Sequence, residues 1–591
     1  MKVFFLYDAF NSMSQSAYLH VTAIGHKVVR TEYVSLRHTL DLLAAEQKTG
    51  RPVDVMLCPF LTKIVPEELY NHPHIPCLIV HPGVVGDRGA SSIDWALMRG
   101  ELEWGVTVMQ AAEEVDVGDV YATTTVSLRR PHAFSPPLTK SSVYRREVNQ
   151  AAMAAITEAL TMVENGVAPM PLECLAHKGT FLPCMRQKER KIDWSMEAAE
   201  VVRRCNASET QPGVLEVFNG ESYLLYGFST ECLMDLSQCA LPPKSLIGHR
   251  EGAVLVKCGG NTAMWVSQAK RLNTKESRFF KAPPVNVLSK HITGSLPELT
   301  LDSPPSGCRW AACPRQSRTS GPGNIGWGVC HLWFDFYNGA MSTDQGRRLA
   351  EVLQRVKTES DVRVLVLMGG LNFFCNGIHL NVIEAAGGMQ EQADESWANI
   401  NAIDDVVREV LLCHDKLTIS AMSGNAGAGG VMAALAADYV WTHPRVVLNP
   451  SYKALDLYGS EYWTYSLPKR VGHHQALAIT EGSEPMSAKQ ALGLGMVDRV
   501  FGTDPDSFVA AVIREAEALV DDQASLDALL DTKREMVDAD SFRSLLADHR
   551  RRELERMKAC FQMPSYHTKR RAFVYKSKAD NPIKAKWSCL A

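Results

Sequence analysis

The 591-residue sequence contains fifteen cysteines but not one C-x-x-C pair. Zinc ribbons and thioredoxin-like redox motifs use such pairs, so neither is indicated. The most closely spaced cysteines, Cys308 and Cys313, stand in a Pro/Ser/Gly-rich stretch without histidine neighbours. An odd number of cysteines without metal-ligand spacing is typical of reduced thiols. We therefore expect a cytoplasmic protein with no metal site and no disulfide framework.

The sequence also lacks a large excess of charge and an unbroken apolar run. The net charge is -4, whereas a nucleic-acid-binding protein typically carries a concentrated basic surface. The long uncharged stretch from Leu417 to Ala437 is interrupted by glycines, and the N-terminal apolar run MKVFFLYDAF is too short for a signal peptide. These patterns predict neither a nucleic-acid partner nor a membrane association.

The length predicts several domains, because a single hydrophobic core stops growing near ~250–300 residues. Strand-like runs such as KVFFLY, VDVML and CLIV first alternate with helix-compatible sequence, which predicts an α/β domain with a parallel sheet. Short segments such as KIDW, SYLLYGF and GAVLVKC follow and predict a small β-rich domain, for which a barrel is one form. After a Pro/Ser/Gly-rich stretch the α/β alternation returns, and helices dominate the end. The predicted domains are 1–168, 169–295, a linker at 296–325, 326–525 and a helical segment at 526–591.

A histidine and an acidic loop mark the first candidate site. The strand CLIV ends in His81-Pro82-Gly83, and a later strand, GVTVMQ, leads to Asp116. Ligands in open α/β sheets bind at the carboxyl ends of strands, so two neighbouring strand ends would bring the imidazole and the carboxylate together. Such a pair suits general acid–base catalysis. The alternative is a strand-capping histidine and a solvated acidic loop.

Two glycine-containing loops mark the second candidate site. Asn376-Gly377-Ile378 comes shortly after the strand VRVLVLMGG, and the stretch from Gly424 to Gly430 follows the strand LTISAM. Glycines let backbone N–H groups approach a ligand closely, so two such loops would form an oxyanion hole for a thioester carbonyl. A nucleotide phosphate loop is the alternative, but the sequence there has no Gly-Lys-Ser/Thr.

The run from His81 to Trp95 and the later GVTVMQAAEEVDVGDVY resemble the formyltetrahydrofolate transformylase and hydrolase family. The resemblance implies a Rossmann-like domain in which His81 and Asp116 are catalytic. It also implies that Arg88 and Gly89, in the glycine-rich turn, contact the folate. The segments KIDW and QPGV resemble the C-terminal domain of methionyl-tRNA formyltransferases, which implies a small OB-like β-barrel.

One position departs from that family. The family has an asparagine two residues before the histidine, where this sequence has Ile79. Because that asparagine helps to polarise the formyl carbonyl, the ordinary amine-formylating chemistry needs another donor. Gln15, predicted in a loop after the first strand, is the candidate, and a surface amide is the alternative.

The segment from about 326 to 510 resembles the crotonase (enoyl-CoA hydratase/isomerase) family, which implies a ββα spiral fold. By position, Ile378 and Gly429 match the residues whose N–H groups hold the thioester oxygen. The two glutamates of the hydratases fall here on Met432 and Tyr452, so enoyl hydration is not expected. Tyr452 and Glu461 are candidates for a different acid–base pair, and aromatic core packing is the alternative. The neighbouring loop residues predicted to contact coenzyme A are Gly377 and Gly430.

Both halves together resemble the HypX (HoxX) family of hydrogenase maturation factors, through NGIHLN, GNAGAGG, LYGSEYWTY and SYHTKRRAFVYK. The resemblance implies transfer of a formyl group from formyltetrahydrofolate to coenzyme A. It further implies cleavage of formyl-CoA to carbon monoxide for a [NiFe]-hydrogenase. The implied partners are small-molecule substrates and hydrogenase maturation proteins. The candidate cations for the coenzyme A phosphates are Lys270, Arg271, Lys275, Arg278, Lys281 and Arg570.

Two other functions remain open. The protein could be a formyltetrahydrofolate hydrolase or formyltransferase with an accessory crotonase domain. Alternatively, it could be a non-catalytic scaffold that binds folate and coenzyme A during hydrogenase maturation.

Overall fold

The computed structural model describes residues 1–128, 138–232, 234–288, 294, 296–299, 311–312 and 328–576. Most of the predicted linker at 296–325, including Cys308 and Cys313, lies outside the described residues, as does the end of the predicted helical segment after residue 576. The described chain forms two compact units. The first comprises Met1–Ile247 with Leu255–Val266, and the second comprises Gly248–Val254 with the described residues from Ser267 onward.

A six-stranded sheet with helices on both faces begins the chain. Its strand order is β2-β1-β3-β4-β5-β6. Alternate residues of β1 pack into two separate hydrophobic clusters, Phe5 on one face and Phe4 on the other. The strands are Lys2–Tyr7 (β1), Lys27–Glu32 (β2), Val55–Phe60 (β3), Cys77–His81 (β4), Glu103–Gln110 (β5) and Val120–Ser127 (β6). The helices are Ser12–Ala23 (α1), Leu36–Gln47 (α2), Glu67–Tyr70 (α3), Ser92–Arg99 (α4), Lys140–Val143 (α5) and Asn149–Glu164 (α6), with a π turn at Tyr144–Val148.

The prediction of a parallel sheet is right for β1 to β4 and wrong for the last two strands. β4 pairs with β5 antiparallel, and β5 pairs with β6 antiparallel. Only a nine-residue loop, 111–119, joins β5 to β6, which is too short for the crossover that a parallel pair requires.

The β-rich region predicted next contains a five-stranded sheet in the order β7-β8-β11-β10-β9. KIDW is not one of its strands. Its Asp193 instead accepts hydrogen bonds from the backbone N–H and hydroxyl of Ser195 at 3.0 and 2.6 Å, which closes a local turn. The strands are Val214–Phe218 (β7), Glu221–Thr230 (β8), Leu246–Arg250 (β9), Ala253–Lys257 (β10) and Ala263–Arg271 (β11). The helices nearby in sequence are Leu172–Cys174 (a 3-10 turn), Ala198–Asn206 (α7) and Pro284–Val287 (α8).

The rest of the chain repeats a strand–strand–helix pattern around two sheets. The orders are β12-β13-β14-β16-β18-β21 and β15-β17-β19-β20, so the strands from β14 to β19 alternate between the sheets. This alternation is the ββα spiral that the crotonase resemblance implied. The strands are Ala311–Ala312 (β12), Val329–Trp333 (β13), Val364–Gly369 (β14), Phe373–Cys375 (β15), Leu417–Met422 (β16), Asn425–Gly427 (β17), Tyr439–Thr442 (β18), Val447–Asn449 (β19), Met486–Ser487 (β20) and Arg499–Val500 (β21).

Helices cover both faces of the larger of these sheets. Residues of β14 alternate between two hydrophobic clusters, for example Leu365 in one and Val366 in the other. The helices are Thr343–Thr358 (α9), Leu380–Ala385 (α10), Met389–Leu411 (α11), Gly429–Leu435 (α12), Trp463–Val471 (α13), His473–Gly482 (α14), Ala488–Gly493 (α15), Pro505–Asp521 (α16), Gln523–Asp538 (α17), Asp540–Phe561 (α18) and Pro564–Tyr575 (α19), with 3-10 turns at Tyr337–Gly339 and Tyr452–Leu455. None of the helices within the described ranges is long and apolar enough to cross a membrane.

Candidate active sites

His81, the last residue of β4, lies between two carboxylates. Its Nε2 is 2.8 Å from Oδ2 of Asp87, and its Nδ1 is 3.4 Å from Oδ1 of Asp116. His81 and Asp87 are both buried. A protonated imidazole has two N–H donors, and this arrangement offers an acceptor to each. The predicted pair of His81 and Asp116 is therefore close in space, with Asp87 as a third, unpredicted member.

Asp116 reaches this site by a different route from the predicted one. Because β5 is antiparallel to β4, the two strands do not end side by side. The loop after β5 instead folds back, so closely that a Cβ at Gly118 would lie 1.7 Å from the Gln110 carbonyl oxygen. Asp116 takes a left-handed conformation with φ of 59°. Its Oδ2 accepts the Gly89 N–H at 3.0 Å.

The other predicted residues of the first site have protein partners of their own. Arg88 donates to Glu114 at 2.8 Å and lies 5.8 Å from the centre of the Phe181 ring. Gln15 lies on α1, not in a loop as predicted, because Asn11 caps that helix. Its side-chain nitrogen donates to the Phe10 carbonyl at 2.9 Å.

The surroundings of Ile79 are apolar. This residue pairs with Met109 of β5 and Cys58 of β3, and it packs beside the buried cluster on one face of the sheet. It supplies no side-chain donor to the His81 site.

The two glycine-containing loops of the second site lie side by side. β15 pairs with β17 in parallel, which brings the ends of the two strands together. A Cβ at Gly377 would lie 3.2 Å from the backbone nitrogen of Gly429 and 3.8 Å from that of Gly430. Gly429 begins α12, so its N–H is one of the groups left without a partner inside the helix. Ile378 follows Gly377 directly and forms an isolated bridge with Met341.

Tyr452 and Glu461 meet beside this loop pair, and both are buried. The Tyr452 hydroxyl donates to Oε2 of Glu461 at 2.7 Å, and the Ser460 N–H donates to the same oxygen at 3.0 Å. The other carboxyl oxygen faces the loop, because a Cβ at Gly429 would lie 1.9 Å from it. The structure therefore brings the predicted acid–base pair and one predicted oxyanion donor into one site.

Burial raises the pKa values of both residues of this pair. Burial, and then the negative charge of Asp404, raise the pKa of Glu461 to about 8. Burial, followed by the charge of Glu461, raises the pKa of Tyr452. A carboxyl with a raised pKa is a stronger base once it has lost its proton, which suits removal of a weakly acidic proton.

A cavity of about 480 Å³ lies next to the Ile378 loop. Its lining includes Tyr337, Thr343 of the α9 N-terminus and His379. The Lys281 ammonium donates to the Tyr337 hydroxyl at 2.8 Å, and the Lys281 carbonyl accepts from Asn381 at 2.6 Å. Lys281 therefore contacts a residue that lines this cavity, and the cavity is large enough for part of a small-molecule cofactor.

Of the remaining predicted cations, Lys275 and Arg278 are exposed. Burial lowers the pKa of Lys270, and burial and then the charge of Lys270 lower the pKa of Lys576, so these two ammonium groups lie near each other. Arg271 lies over the Phe279 ring. Arg570, in contrast, is buried and donates to Glu384 at 3.0 Å, so the prediction of a phosphate-binding Arg570 does not fit this structure. Arg571, one residue later, is exposed.

Sequence reasoning missed three acidic residues. Asp87 stands in the glycine-rich turn after His81, where the turn could have drawn attention to it. Asp404 and Glu553 are fully buried within helices, and each accepts hydrogen bonds from the segment that carries Glu461. No local pattern in their helices indicates this role.

Known proteins resemble the chain both by domain and over nearly its full length. Family profiles match as formyl transferase at residues 14–158, formyl transferase C-terminal domain at 185–279, and enoyl-CoA hydratase/isomerase at 335–581.

The methionyl-tRNA formyltransferase of Nitrosospira multiformis is 25% identical over 35% of this chain and 62% of its own. The hydrogenase maturation factor HoxX of Bradyrhizobium diazoefficiens is 36% identical over 98% of this chain and 95% of its own. The crystal structure of Aquifex aeolicus HypX in complex with tetrahydrofolic acid is 34% identical and superimposes with a TM-score of 0.84, over 98% of this chain and 96% of that one. The chain thus belongs to the HypX/HoxX family of hydrogenase maturation factors and combines a formyltransferase module with a crotonase module.

Proposed function

We propose that this protein transfers the formyl group of formyltetrahydrofolate to coenzyme A and then cleaves formyl-CoA to carbon monoxide and free coenzyme A. The observation that carries the proposal is the Glu461 carboxyl, buried beside the Gly429 N–H and hydrogen-bonded to Tyr452. This is an acid–base pair at a thioester site that has no hydratase glutamates. The formyltransferase module supplies one-carbon chemistry upstream of it.

In the first step, the coenzyme A sulfur attacks the formyl carbon and the bond from that carbon to N10 of the folate breaks. The thiol loses one proton and N10 gains one, so the step needs no further reactant. His81, with Asp116 on one side and Asp87 on the other, is suited to move that proton. A thiol acceptor does not need the asparagine that Ile79 replaces.

In the second step, formyl-CoA loses its formyl proton and its carbon–sulfur bond breaks. Carbon monoxide leaves, and the sulfur takes up a proton, so atoms and charge again balance. Glu461 removes the formyl proton and returns it to the thiolate, and Tyr452 orients the carboxyl. The Ile378 and Gly429 N–H groups hold the formyl oxygen and stabilise the charge that develops on it.

Coenzyme A has to be held near this site by its phosphates and its pantetheine arm. The cavity lined by His379, the residue after Ile378, has space for the arm, and Lys281 contacts Tyr337 of its lining. Lys270 and Lys576 form a pair of like charges, an arrangement that an anionic phosphate would stabilise. The relative from Aquifex aeolicus was crystallised with tetrahydrofolic acid, which supports a folate as the formyl carrier.

The biological role follows from the relatives and the chemistry. The Bradyrhizobium relative is a hydrogenase maturation factor. Carbon monoxide is a ligand of the [NiFe]-hydrogenase metal centre, so we propose that the product is passed to hydrogenase maturation proteins in the cytoplasm.

The deciding experiment supplies the purified protein with formyltetrahydrofolate and coenzyme A under anaerobic conditions. Haemoglobin absorbance measures carbon monoxide. Glu461→Gln is expected to accumulate formyl-CoA, whereas His81→Ala is expected to form none. Absence of carbon monoxide from the unaltered protein would contradict the proposal.

Each of the two alternatives predicts a different result. Release of formate at a rate independent of coenzyme A would indicate a hydrolase with an accessory domain. A scaffold would support hydrogenase maturation equally well after either substitution.

A further inference from the structure

The short segment that carries Glu461 is held by a carboxylate from a distant helix. Asp404 of α11 accepts the Glu461 N–H at 2.9 Å and the Ser460 hydroxyl at 2.9 and 2.8 Å through its two oxygens. Asp404 is completely buried. It therefore fixes both the residue before Glu461 and the Glu461 backbone itself.

A second carboxylate, from α18, holds the other side of Glu461. Glu553 accepts the Tyr462 N–H at 2.9 Å and the Thr464 N–H at 2.8 Å, and the Thr464 hydroxyl also donates to it. These N–H groups belong to the start of α13, where no earlier turn provides acceptors. Glu553 thus caps α13 from another part of the chain.

The clamped backbone is strained. Glu461 and Tyr462 are consecutive, neither is glycine, and both have positive φ, 63° and 56°. Such conformations persist only where surrounding contacts over-determine them. Without its clamp the turn would relax toward ordinary backbone angles, and the Glu461 carboxyl would move away from Gly429.

The cluster has more acidic than basic groups around it. Asp404, Glu461 and Glu553 are all buried, and the guanidinium that approaches them, that of Arg550, is 4.0 Å from Asp404. Arg550 makes its shorter contact, at 2.7 Å, with Asp405. The other titratable groups that face the cluster are Tyr452, Cys375, Tyr458, Tyr462 and His549.

We propose that Asp404 and Glu553 are positioning residues for Glu461, and that the three carboxyls together retain at least one proton at neutral pH whose location Asp404 controls. The inference rests on the proposed decarbonylation and adds the residues that position its base, Glu461, and raise the pKa of that base. Asp404, through its charge, makes Glu461 a stronger base. Glu553, by capping α13, keeps that base beside the thioester.

The pKa values of the three carboxyls are shifted in the direction that this geometry predicts. Burial first, and the charge of Asp404 second, raise the pKa values of Glu461 and Glu553 to about 8 each. Burial raises the pKa of Asp404 itself to about 6, against the opposing charge of Arg550.

The test compares Asp404→Asn and Glu553→Gln with two controls on the same helices, Asp394→Asn on α11 and Glu555→Gln on α18. Both control side chains are exposed. Each variant receives formyl-CoA directly, and kcat and KM for carbon monoxide release are measured across pH. In the unaltered protein kcat is expected to rise with pH through about 8, as Glu461 loses its proton.

Asp404→Asn is expected to move this rise to lower pH by about 1 unit or more, because a like charge is removed. Its maximal kcat should fall at least tenfold, with little change in KM. Glu553→Gln should also lower kcat, and the controls should match the unaltered protein. A kcat–pH profile of Asp404→Asn that coincides with the unaltered one overturns the proposal.

An infrared titration provides a second measurement that needs no catalysis. The unaltered protein should show a protonated buried carboxyl band at neutral pH, which Glu461→Gln weakens and Asp404→Asn shifts to lower pH. If this pattern appears but no carbon monoxide forms, the proposed function fails and the shared proton stands. If carbon monoxide forms but neither measurement responds to Asp404→Asn, only the present inference fails.

Discussion

The Asp87 carboxylate lies 2.8 Å from Nε2 of His81, on the other side of the ring from Asp116. The ring is therefore fixed from both sides rather than from one. Asp87 and His81 are six residues apart, and a Cβ at Gly83, between them, would lie 2.3 Å from Asp87 and 2.4 Å from His81. The turn is so tight at position 83 that only glycine, which has no Cβ, fits there.

Replacing Asp87 by asparagine should lower formyl transfer about 10²-fold while the fold is retained. The amide keeps the shape of the carboxyl and can still accept a hydrogen bond, but it has no negative charge to stabilise a protonated imidazole. Positioned proton transfer is worth ~10²–10⁴-fold. The measurement is formyl-CoA formation in a Glu461→Gln background, where the product accumulates. Glu113→Gln, an exposed acidic residue near Asp116 in sequence, is the matched control and should retain the full rate. An equal rate in Asp87→Asn would show that Asp116 alone governs the ring.

Replacing Gly429 by alanine should abolish most carbon monoxide release. The new Cβ would lie 1.9 Å from one Glu461 carboxyl oxygen, so that carboxyl must leave its present position. Overpacking of this kind typically costs ~1–3 kcal/mol of stability, whereas loss of an aligned catalytic group costs ~10²-fold or more in rate. Gly493→Ala, at a helical site with nothing within 4 Å of the added Cβ, is the control. Retention of full activity in Gly429→Ala would contradict the placement of Glu461 as the base.

The sequence predicts the sheet architecture wherever it depends on the pattern of apolar residues within one short segment. The βα alternation through β4 is visible as strand-like apolar runs separated by helix-compatible sequence. The reversal at β5 is not, since GVTVMQ has the composition of a buried strand in either direction. The ββα spiral followed from family resemblance, and the alternation of strands between two sheets bears it out.

The residues of the candidate sites likewise divide into those that local sequence predicts and those that it does not. His81, the glycine loops and Glu461 could be predicted because each stands in a distinctive local segment. Asp404 and Glu553 could not, because their partners lie 57 and 91 residues away along the chain, in contacts that exist only after folding. The prediction that Arg570 binds a phosphate does not fit the structure, because the sequence alone does not distinguish an arginine that binds a phosphate from one that pairs with the buried Glu384.

Removing the paired lysines should weaken coenzyme A binding without changing the chemical step. Lys270→Ala combined with Lys576→Ala removes two charges that lie near each other, and calorimetry should show a Kd raised about tenfold or more, equivalent to ~1.4 kcal/mol. The effect should shrink at high salt, because exposed charge pairs are screened. Lys489→Ala, an exposed lysine on α15, is the control. Unchanged affinity in the double variant would exclude this pair as a phosphate site.

The buried carboxyls should also make stability fall as pH rises above neutral. Glu461 and Glu553 have pKa values raised to about 8, so the folded chain binds more protons than the unfolded chain between their ordinary pKa and that value. Their stabilisation is complete below the ordinary glutamate pKa and is lost as pH rises from there through about 8, with about 4 kcal/mol of the loss above pH 6.5. Burial lowers the pKa values of His331 and His379 to about 4, which acts in the opposite sense, but only below the ordinary histidine pKa near 6.5. Thermal unfolding followed from about pH 6.5 to about pH 9 should therefore show a falling Tm that Glu553→Gln makes flatter and Glu555→Gln leaves unchanged. A Tm that rises over this range would mean that these carboxyls are already ionised in the folded protein.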